Sequence, residues 1–123
     1  MRILLADDER ELATSLSKYL RKAGHEVCTI TTGGMEVFPA FDSFHPDVVL
    51  LDVMMPRFNG IAIAQALVAR NPKIKLVLMS GALKPDHPFI TSAGIKHFLQ
   101  KPFPFSSALK LLESLVPVAK AAA

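Results

Sequence analysis

Several features that mark particular classes of protein are missing from this sequence of 123 residues. It contains a single cysteine, Cys28, so no disulfide framework can form, and the apolar residues around it predict a small buried thiol. No apolar run approaches the ~20 residues that a helix needs to cross a bilayer. The first strand is predicted to begin at Arg2, which leaves no room for a signal peptide. Together these absences predict a soluble protein in a reducing compartment, most simply the cytoplasm.

Other missing features argue against three kinds of binding site: for nucleic acid, for zinc and for a dinucleotide. The formal net charge is only +3 and the basic residues are scattered, so the stripe or basic helix of a nucleic-acid-binding protein is missing. The histidines His25, His45, His87 and His97 lack the spacing of zinc ligands. No glycine-rich loop follows the first apolar run, which argues against a dinucleotide site.

The informative feature of the chain is a set of four apolar runs that each stop at a polar residue. Such runs, separated by helical segments, predict strands of a parallel sheet that is buried on both faces. The carboxyl ends of these strands lie along one edge of an open sheet, where ligands bind. The residues delivered to that edge are Asp7 and Asp8, Asp52, Ser80 and Lys101.

Strands and helices are predicted to alternate along the chain, which indicates an α/β fold with helices on both faces of the sheet. The predicted strands are 2–6, 26–31, 47–52, 74–79 and 96–99. The predicted helices are about 9–22, 34–43, 59–70 and 104–116. One domain is expected over residues 1–117, followed by a short disordered tail at 118–123.

Prolines interrupt the pattern at two places. Pro39 falls inside the second helix and is expected to kink or shorten it, because proline lacks the N–H that a helix interior needs. Pro85 and Pro88 interrupt the segment 81–93, which leaves room for a fourth helix only from about His87 to Ala93.

The three carboxylates Asp7, Asp8 and Asp52 repel one another unless a cation is bound or a proton is retained. An all-oxygen set favours a hard cation such as Mg²⁺, and three carboxylates, Mg²⁺ and the Lys101 ammonium sum to zero charge. Mg²⁺, Lys101 and the Ser80 hydroxyl are suited to hold one phosphoryl oxygen each. Taken singly, each residue has an ordinary alternative interpretation as a helix cap or a turn residue.

Four segments resemble the receiver domain of two-component response regulators: ILLADDE (3–9), DVVLLDVMMPRFNG (47–60), LVLMSG (76–81) and GIKHFLQKPF (94–103). The resemblance extends over essentially all of residues 1–117. It implies a flavodoxin-like, doubly wound sheet of five parallel strands in the order 2-1-3-4-5.

The resemblance also implies a role for each residue at the strand ends. Asp52 is expected to accept a phosphoryl group. Asp8 is expected to bind Mg²⁺ directly, Asp7 mainly through water, and the Met54 carbonyl to complete the protein ligands. Lys101 is expected to pair with Asp52 and then with its phosphoryl group.

Further positions match the family in the loops and in the switch. The Lys101-Pro102 peptide is expected to be cis. Pro56 and Gly60 match the loop that follows the acceptor. Ser80 and Phe98 match the hydroxyl and the aromatic ring that move on phosphorylation, although periodicity alone explains Phe98 equally well as a core residue of an edge strand.

The function implied is that of a Mg²⁺-dependent phosphoacceptor in a phosphorelay, not that of an enzyme acting on other molecules. A histidine kinase or a histidine phosphotransfer protein would donate the phosphoryl group, and the altered conformation would regulate a protein target or output domain. One alternative is an interaction module that keeps the fold without being phosphorylated. Another is a phosphatase with an aspartate nucleophile, although such enzymes use a second Asp where Met54 stands.

Overall fold

The computed structural model describes residues 1–55, 58–84, 86–92 and 95–116, together with the backbone but not the side chains of Phe58, Phe89 and Ser92. Pro56, Pro85, Gly94 and the expected tail at 118–123 lie outside the described residues. None of the described helices is long and apolar enough to cross a membrane.

The described part of the chain contains seven strands and five α-helices. The strands are β1 (Arg2–Ala6), β2 (Glu26–Ile30), β3 (Val48–Asp52), β4 (Met54–Met55), β5 (Phe58–Asn59), β6 (Lys75–Ser80) and β7 (Phe98–Gln100). The helices are α1 (Arg10–Lys22), α2 (Val37–Phe44), α3 (Gly60–Arg70), α4 (Pro88–Ser92) and α5 (Phe105–Leu115).

The main sheet contains five parallel strands in the order β2-β1-β3-β6-β7. Counted among themselves along the chain, these strands lie in the predicted order 2-1-3-4-5. The two-residue strands β4 and β5 form a separate antiparallel pair directly after β3. This order brings the carboxyl ends of β1 and β3 to the centre of one edge.

The core lies on both faces of the sheet because successive residues of the central strands point to opposite sides. Ile3 and Leu5 face one side and pack with the apolar residues of α1 and α5. Leu4 and Ala6 face the other side and pack with those of α2, α3 and α4. The continuous apolar runs in the sequence are therefore explained by burial on both faces.

The two helices that contain or adjoin prolines are short, as their prolines predicted. The segment 34–43 divides into a 3₁₀ turn at Gly34–Glu36 and the eight-residue helix α2, with Pro39 in the first turn of α2, where a missing N–H is tolerated. Helix α4 has five residues and begins at Pro88, a favoured first position for proline. Cys28 is only half-buried, less than predicted, because it lies on the edge strand β2.

Candidate functional site

The polar residues predicted at the strand ends do lie together at one edge of the sheet. Asp7 directly follows β1, Asp52 is the last residue of β3, Ser80 is the last residue of β6, and Lys101 directly follows β7. Asp7, Asp52 and Ser80 are almost fully buried. The parallel sheet therefore gathers carboxylates, a hydroxyl and an ammonium that are far apart in the sequence.

Asp7, Asp8 and Asp52 form a cluster in which one carboxylate oxygen of each lies within 4.8 Å of the others. Two ligands on opposite sides of a Mg²⁺ ion are about 4.2 Å apart, since each Mg–O distance is about 2.1 Å. The cluster is therefore already close to the spacing that a bound ion requires. Within the described residues it is the one group of at least three such side chains that could hold a metal.

One oxygen of Asp7 supports this assignment. Asp7 Oδ1 accepts a hydrogen bond of 2.9 Å from the Glu9 N–H. Asp7 Oδ2 is buried and, among the described residues, is the side-chain polar atom without a hydrogen-bond partner of suitable geometry. Its neighbour at 2.7 Å is the Lys101 ammonium, which compensates its charge but leaves lone pairs unused. Buried polar atoms of this kind call for a ligand, and a hard cation fits the all-oxygen set.

Lys101 is the counter-charge at the centre of the site. Its Nζ lies 2.7 Å from Asp7 Oδ2, 2.8 Å from Glu9 Oε1 and 3.2 Å from Asp52 Oδ2. Burial alone lowers the pKa of Lys101, but the neighbouring carboxylates of Asp7, Glu9 and Asp52 outweigh burial and raise it above its usual value. Lys101 is therefore a permanent cation in this site.

Asp52 is held by two donors from different parts of the chain. Its Oδ1 accepts from the Met54 N–H at 3.1 Å, and its Oδ2 accepts from Lys101 Nζ at 3.2 Å. Burial and then the charge of Asp7 raise the pKa of Asp52 from 3.8 to about 7, against the opposing effects of the Met54 N–H and Lys101. Without a bound cation, Asp52 therefore keeps its proton well above the usual range of a carboxyl group.

This raised pKa predicts that the stability of the cation-free protein depends on pH. Between pH 4 and pH 7 the unfolded Asp52 has lost its proton while the folded Asp52 retains it, so stability falls as the pH rises. We expect Asp52→Asn to remove this dependence. From pH 5 to pH 8 in EDTA, the free energy of unfolding should fall by on the order of 2 kcal/mol more in the wild type than in the variant.

Denaturant titrations at each pH measure this difference, and the exposed Asp86→Asn is a control for the same chemical change. Parallel pH dependences of the wild type and Asp52→Asn would contradict the prediction.

The Ser80 hydroxyl is engaged by its own loop. Its Oγ accepts from the N–H groups of Ala82 at 3.0 Å and Leu83 at 2.9 Å. These two bonds use the oxygen as an acceptor, so the hydroxyl proton remains for donation to a ligand. The turn begins directly at the edge of the sheet and keeps Ser80 fully buried.

The remaining predicted residues lie around the cluster. Met54 is 59% exposed, and it pairs with Asn59 in the short antiparallel ladder of β4 and β5. Phe98 is half-buried, opens β7 opposite Leu78, and packs against the core on the α2–α4 side. The Lys101-Pro102 peptide is cis, as expected.

Glu9 is the residue at this site to which the sequence analysis gave no role. It directly precedes α1, and its carboxylate bonds Lys101, which lies 92 residues further along the chain. Its position after Asp7-Asp8 was the available signal, because a third acidic residue at the same strand end also reaches the edge of the sheet.

Comparison with known proteins identifies the class of protein. Residues 3–113 match the response regulator receiver domain. The chain therefore belongs to the response regulator receiver domain family, and its flavodoxin-like sheet is the receiver fold.

Individual relatives agree with this assignment. The chain is 32% identical over 116 residues to the chemotaxis protein CheY of Thermotoga maritima, a match that covers 93% of this chain and 96% of that protein. It is 32% identical over 117 residues to the response regulator MprA of Mycobacterium avium, covering 94% of this chain but 51% of that protein. The family thus includes both relatives of similar length and relatives about twice as long.

Solved structures give the same result. The response regulator TrrA of Thermotoga maritima, solved in complex with Mg²⁺-BeF, superposes with a TM-score of 0.83 at 26% identity and covers 94% of this chain and 98% of that chain. A CheY-like receiver domain protein from Methanospirillum hungatei superposes with a TM-score of 0.85 at 23% identity, covering 98% of this chain and 97% of that chain, which shows the shared fold.

Proposed function

We propose that this receiver domain is phosphorylated on Asp52 in a Mg²⁺-dependent step. The observation that carries the proposal is the position of the Asp52 carboxylate, which lies between the acidic cluster and the Lys101 ammonium. Phosphoryl transfer depends mainly on positioning and on charge neutralisation, and this edge of the sheet supplies both.

In the proposed reaction, an oxygen of the ionised Asp52 attacks the phosphorus atom of the donor. A new acyl P–O bond forms as the bond between phosphorus and its former carrier breaks, and the carrier leaves with the electron pair. Lys101 Nζ and the Ser80 hydroxyl proton are positioned to bind two phosphoryl oxygens. A Mg²⁺ ion held by Asp7, Asp8, Asp52 and the Met54 carbonyl would neutralise charge on the third oxygen.

The product of this reaction is a conformational state and not a released metabolite, so the domain acts as a switch. The unphosphorylated and phosphorylated states differ in the partners of Lys101 and Ser80, and only such differential contacts can shift a conformational equilibrium. Phe98, which packs at the start of the edge strand β7, is the proposed readout. Slow hydrolysis of the acyl phosphate within the domain would return it to the starting state.

The proposed partners are a histidine kinase or a histidine phosphotransfer protein as donor, and a protein target or output domain as receiver of the signal. We propose that the domain does not bind nucleic acid directly and that it lies in the cytoplasm. The phosphorylation-independent interaction module is less favoured, because the three acids lie together and the lysine pairs with two of them, Asp7 and Asp52.

The proposal predicts a specific covalent product. After incubation with acetyl phosphate and Mg²⁺, the intact mass of the wild type should rise by about 80 Da, the mass of one phosphoryl group. EDTA should prevent the gain, and so should Asp52→Asn, which removes the nucleophilic oxygen. The exposed Asp86→Asn should behave as the wild type, and hydroxylamine should remove the added mass because it cleaves acyl phosphates.

Two results would overturn the proposal. One is an equal gain in Asp52→Asn, which would place the phosphoryl group elsewhere. The other is no gain with acetyl phosphate or with phosphoramidate in a folded protein that binds Mg²⁺, which would favour the interaction module.

A further inference from the structure

A groove of about 520 Å³ lies beside the acidic cluster, between the start of α1 and the loop that joins β7 to α5. A volume of this size is typical of a site for a small molecule, which usually combines apolar walls with a few polar groups. This groove has both kinds of lining. Leu12, Phe103 and Phe105 supply apolar walls, and Glu9 and Lys101 supply the charged groups.

The apolar walls are held in place by the core beneath them. Leu12, Phe103 and Phe105 are each half-buried. The two phenylalanines pack against the apolar residues that fill the space between α1, α5 and the sheet. The Phe105 ring also meets the Tyr19 ring edge-on, with 5.8 Å between the ring centres. The exposed parts of these side chains therefore form a fixed surface on which the apolar body of a ligand can pack.

The charged end of the groove carries surplus negative charge. Asp7, Asp8, Glu9 and Asp52 supply four carboxylates, against the one ammonium of Lys101. With all of these groups ionised, a bound Mg²⁺ ion would neutralise two of the three unbalanced charges and leave one. A positive charge placed in the groove is therefore favoured electrostatically.

Glu9 is the carboxylate that can receive this positive charge. Its side chain is 61% exposed and lines the groove. Glu9 Oε1 accepts a hydrogen bond of 2.8 Å from Lys101 Nζ. The second oxygen, Oε2, can accept from a ligand while the contact with Lys101 stays intact, because each carboxylate oxygen is an independent acceptor.

We propose that this groove binds a small organic cation with an apolar body, of the aryl-alkyl ammonium class. The ammonium group donates to Glu9 Oε2, and the apolar body packs against Leu12, Phe103 and Phe105. The negative charge at the end of the groove disfavours an anionic ligand, and the apolar walls favour an organic ligand over a metal ion. The inference goes beyond the proposed function, since binding here does not require phosphorylation of Asp52.

The test uses phenethylammonium as the probe and phenethyl alcohol as its neutral counterpart, which has the same ring and chain length. Each is titrated into the isotope-labelled full chain with excess Mg²⁺ present, and the backbone amide shifts are followed by NMR. We expect phenethylammonium to cause saturable shifts at Leu12, Gly81, Phe103 and Phe105, with a Kd on the order of 1 mM. Phenethyl alcohol should bind about three- to five-fold more weakly, as suits the loss of one exposed ion pair.

A charge-removing variant repeats the comparison from the side of the protein. Glu9→Gln keeps the shape of the side chain, so it should weaken phenethylammonium about three- to five-fold and leave phenethyl alcohol unchanged. Glu11→Gln is the matched control, because Glu11 is exposed and lies outside the lining of the groove. It should leave both affinities unchanged. The amide spectrum of each variant shows whether the fold is retained, and the comparison of the two probes on the wild type needs no variant.

Three results would each show the inference to be wrong. One is equal affinity of the wild type for the two probes, or equal affinity of the wild type and a folded Glu9→Gln for phenethylammonium. Another is a set of shifts centred on Asp7, Asp8 and Asp52, which would place the cation in the acidic cluster. The third is the absence of saturable shifts with phenethylammonium. None of these results bears on the phosphorylation of Asp52, which the gain in intact mass tests by itself.

Discussion

Replacing Gly60 with alanine is expected to destabilise the domain by about 2 kcal/mol or more, although alanine is ordinarily the better helix former. Gly60 is the first residue of α3, and its N–H donates to the Val53 carbonyl at 2.9 Å. A Cβ atom at this position would overlap the Asp52 carbonyl oxygen and lie 2.7 Å from Val53 Cα. Both obstacles are backbone atoms, so no side-chain rotation can relieve the clash.

The same clash connects Gly60 to the site, because relief requires movement of the backbone that carries Asp52. We therefore expect Gly60→Ala to lose phosphorylation by acetyl phosphate as well as stability. Denaturant unfolding and intact mass measure the two effects. Gly81→Ala is a matched control for stability, since its Cβ would meet Lys101 Cβ at an ordinary 3.6 Å. A Gly60→Ala protein as stable as the wild type would contradict the predicted close approach.

Replacing Lys101 with methionine is the second change with a large expected effect. Methionine keeps most of the side-chain volume but leaves Asp7, Glu9 and Asp52 without their shared cation. Removing one member of a buried ion pair costs about 3–5 kcal/mol, because the remaining charges stay in the interior. At pH 8 in EDTA we expect a loss of about 3 kcal/mol in the free energy of unfolding.

Two further conditions identify the cause of this loss. At pH 5 the loss should be smaller, because Asp52, whose pKa is raised to about 7 by burial and by Asp7, then takes up a proton. Added Mg²⁺ should restore part of the stability at pH 8 if the acidic cluster binds the ion. The exposed Lys110→Met on α5 controls for the general loss of a positive charge. A loss that is the same at both pH values would show that packing, and not charge, is responsible.

The sequence was sufficient for the fold because its strands are buried on both faces. A continuous apolar run such as Val48–Leu51 is typical of a strand whose two faces are both buried. The helical periodicity between these runs predicts the helices that bury those faces. The strand bounds agree with the structure to within two residues. In the described part of the segment 81–93, helix α4 (Pro88–Ser92) lies within the range from His87 to Ala93 that the prolines left for it.

Most of the candidate site was also predictable, since a residue at the end of a parallel strand must reach the same edge as its neighbours. This rule predicts that Asp7, Asp52, Ser80 and Lys101 lie together at one edge of the sheet. It could not say which side chains touch. That Ser80 caps its own turn, and that Asp52 shares Lys101 with Asp7, follow from side-chain directions that the period of a strand does not specify.

Contacts across long stretches of chain were decided by tertiary structure alone. Glu9 bonds Lys101 because the loop after β1 and the loop after β7 pack together, although 92 residues separate the two in sequence. His25 was predicted to lack a ligand role from its spacing, and in the fold it is buried and bonds Glu113 on α5 at 3.1 Å. The sequence by itself determined which residues reach the edge of the sheet, because hydrophobic periodicity and strand ends are local properties. The packing of distant segments decided which charges meet there and how deeply they are buried, and hence the pKa of Asp52 and the partners of Lys101.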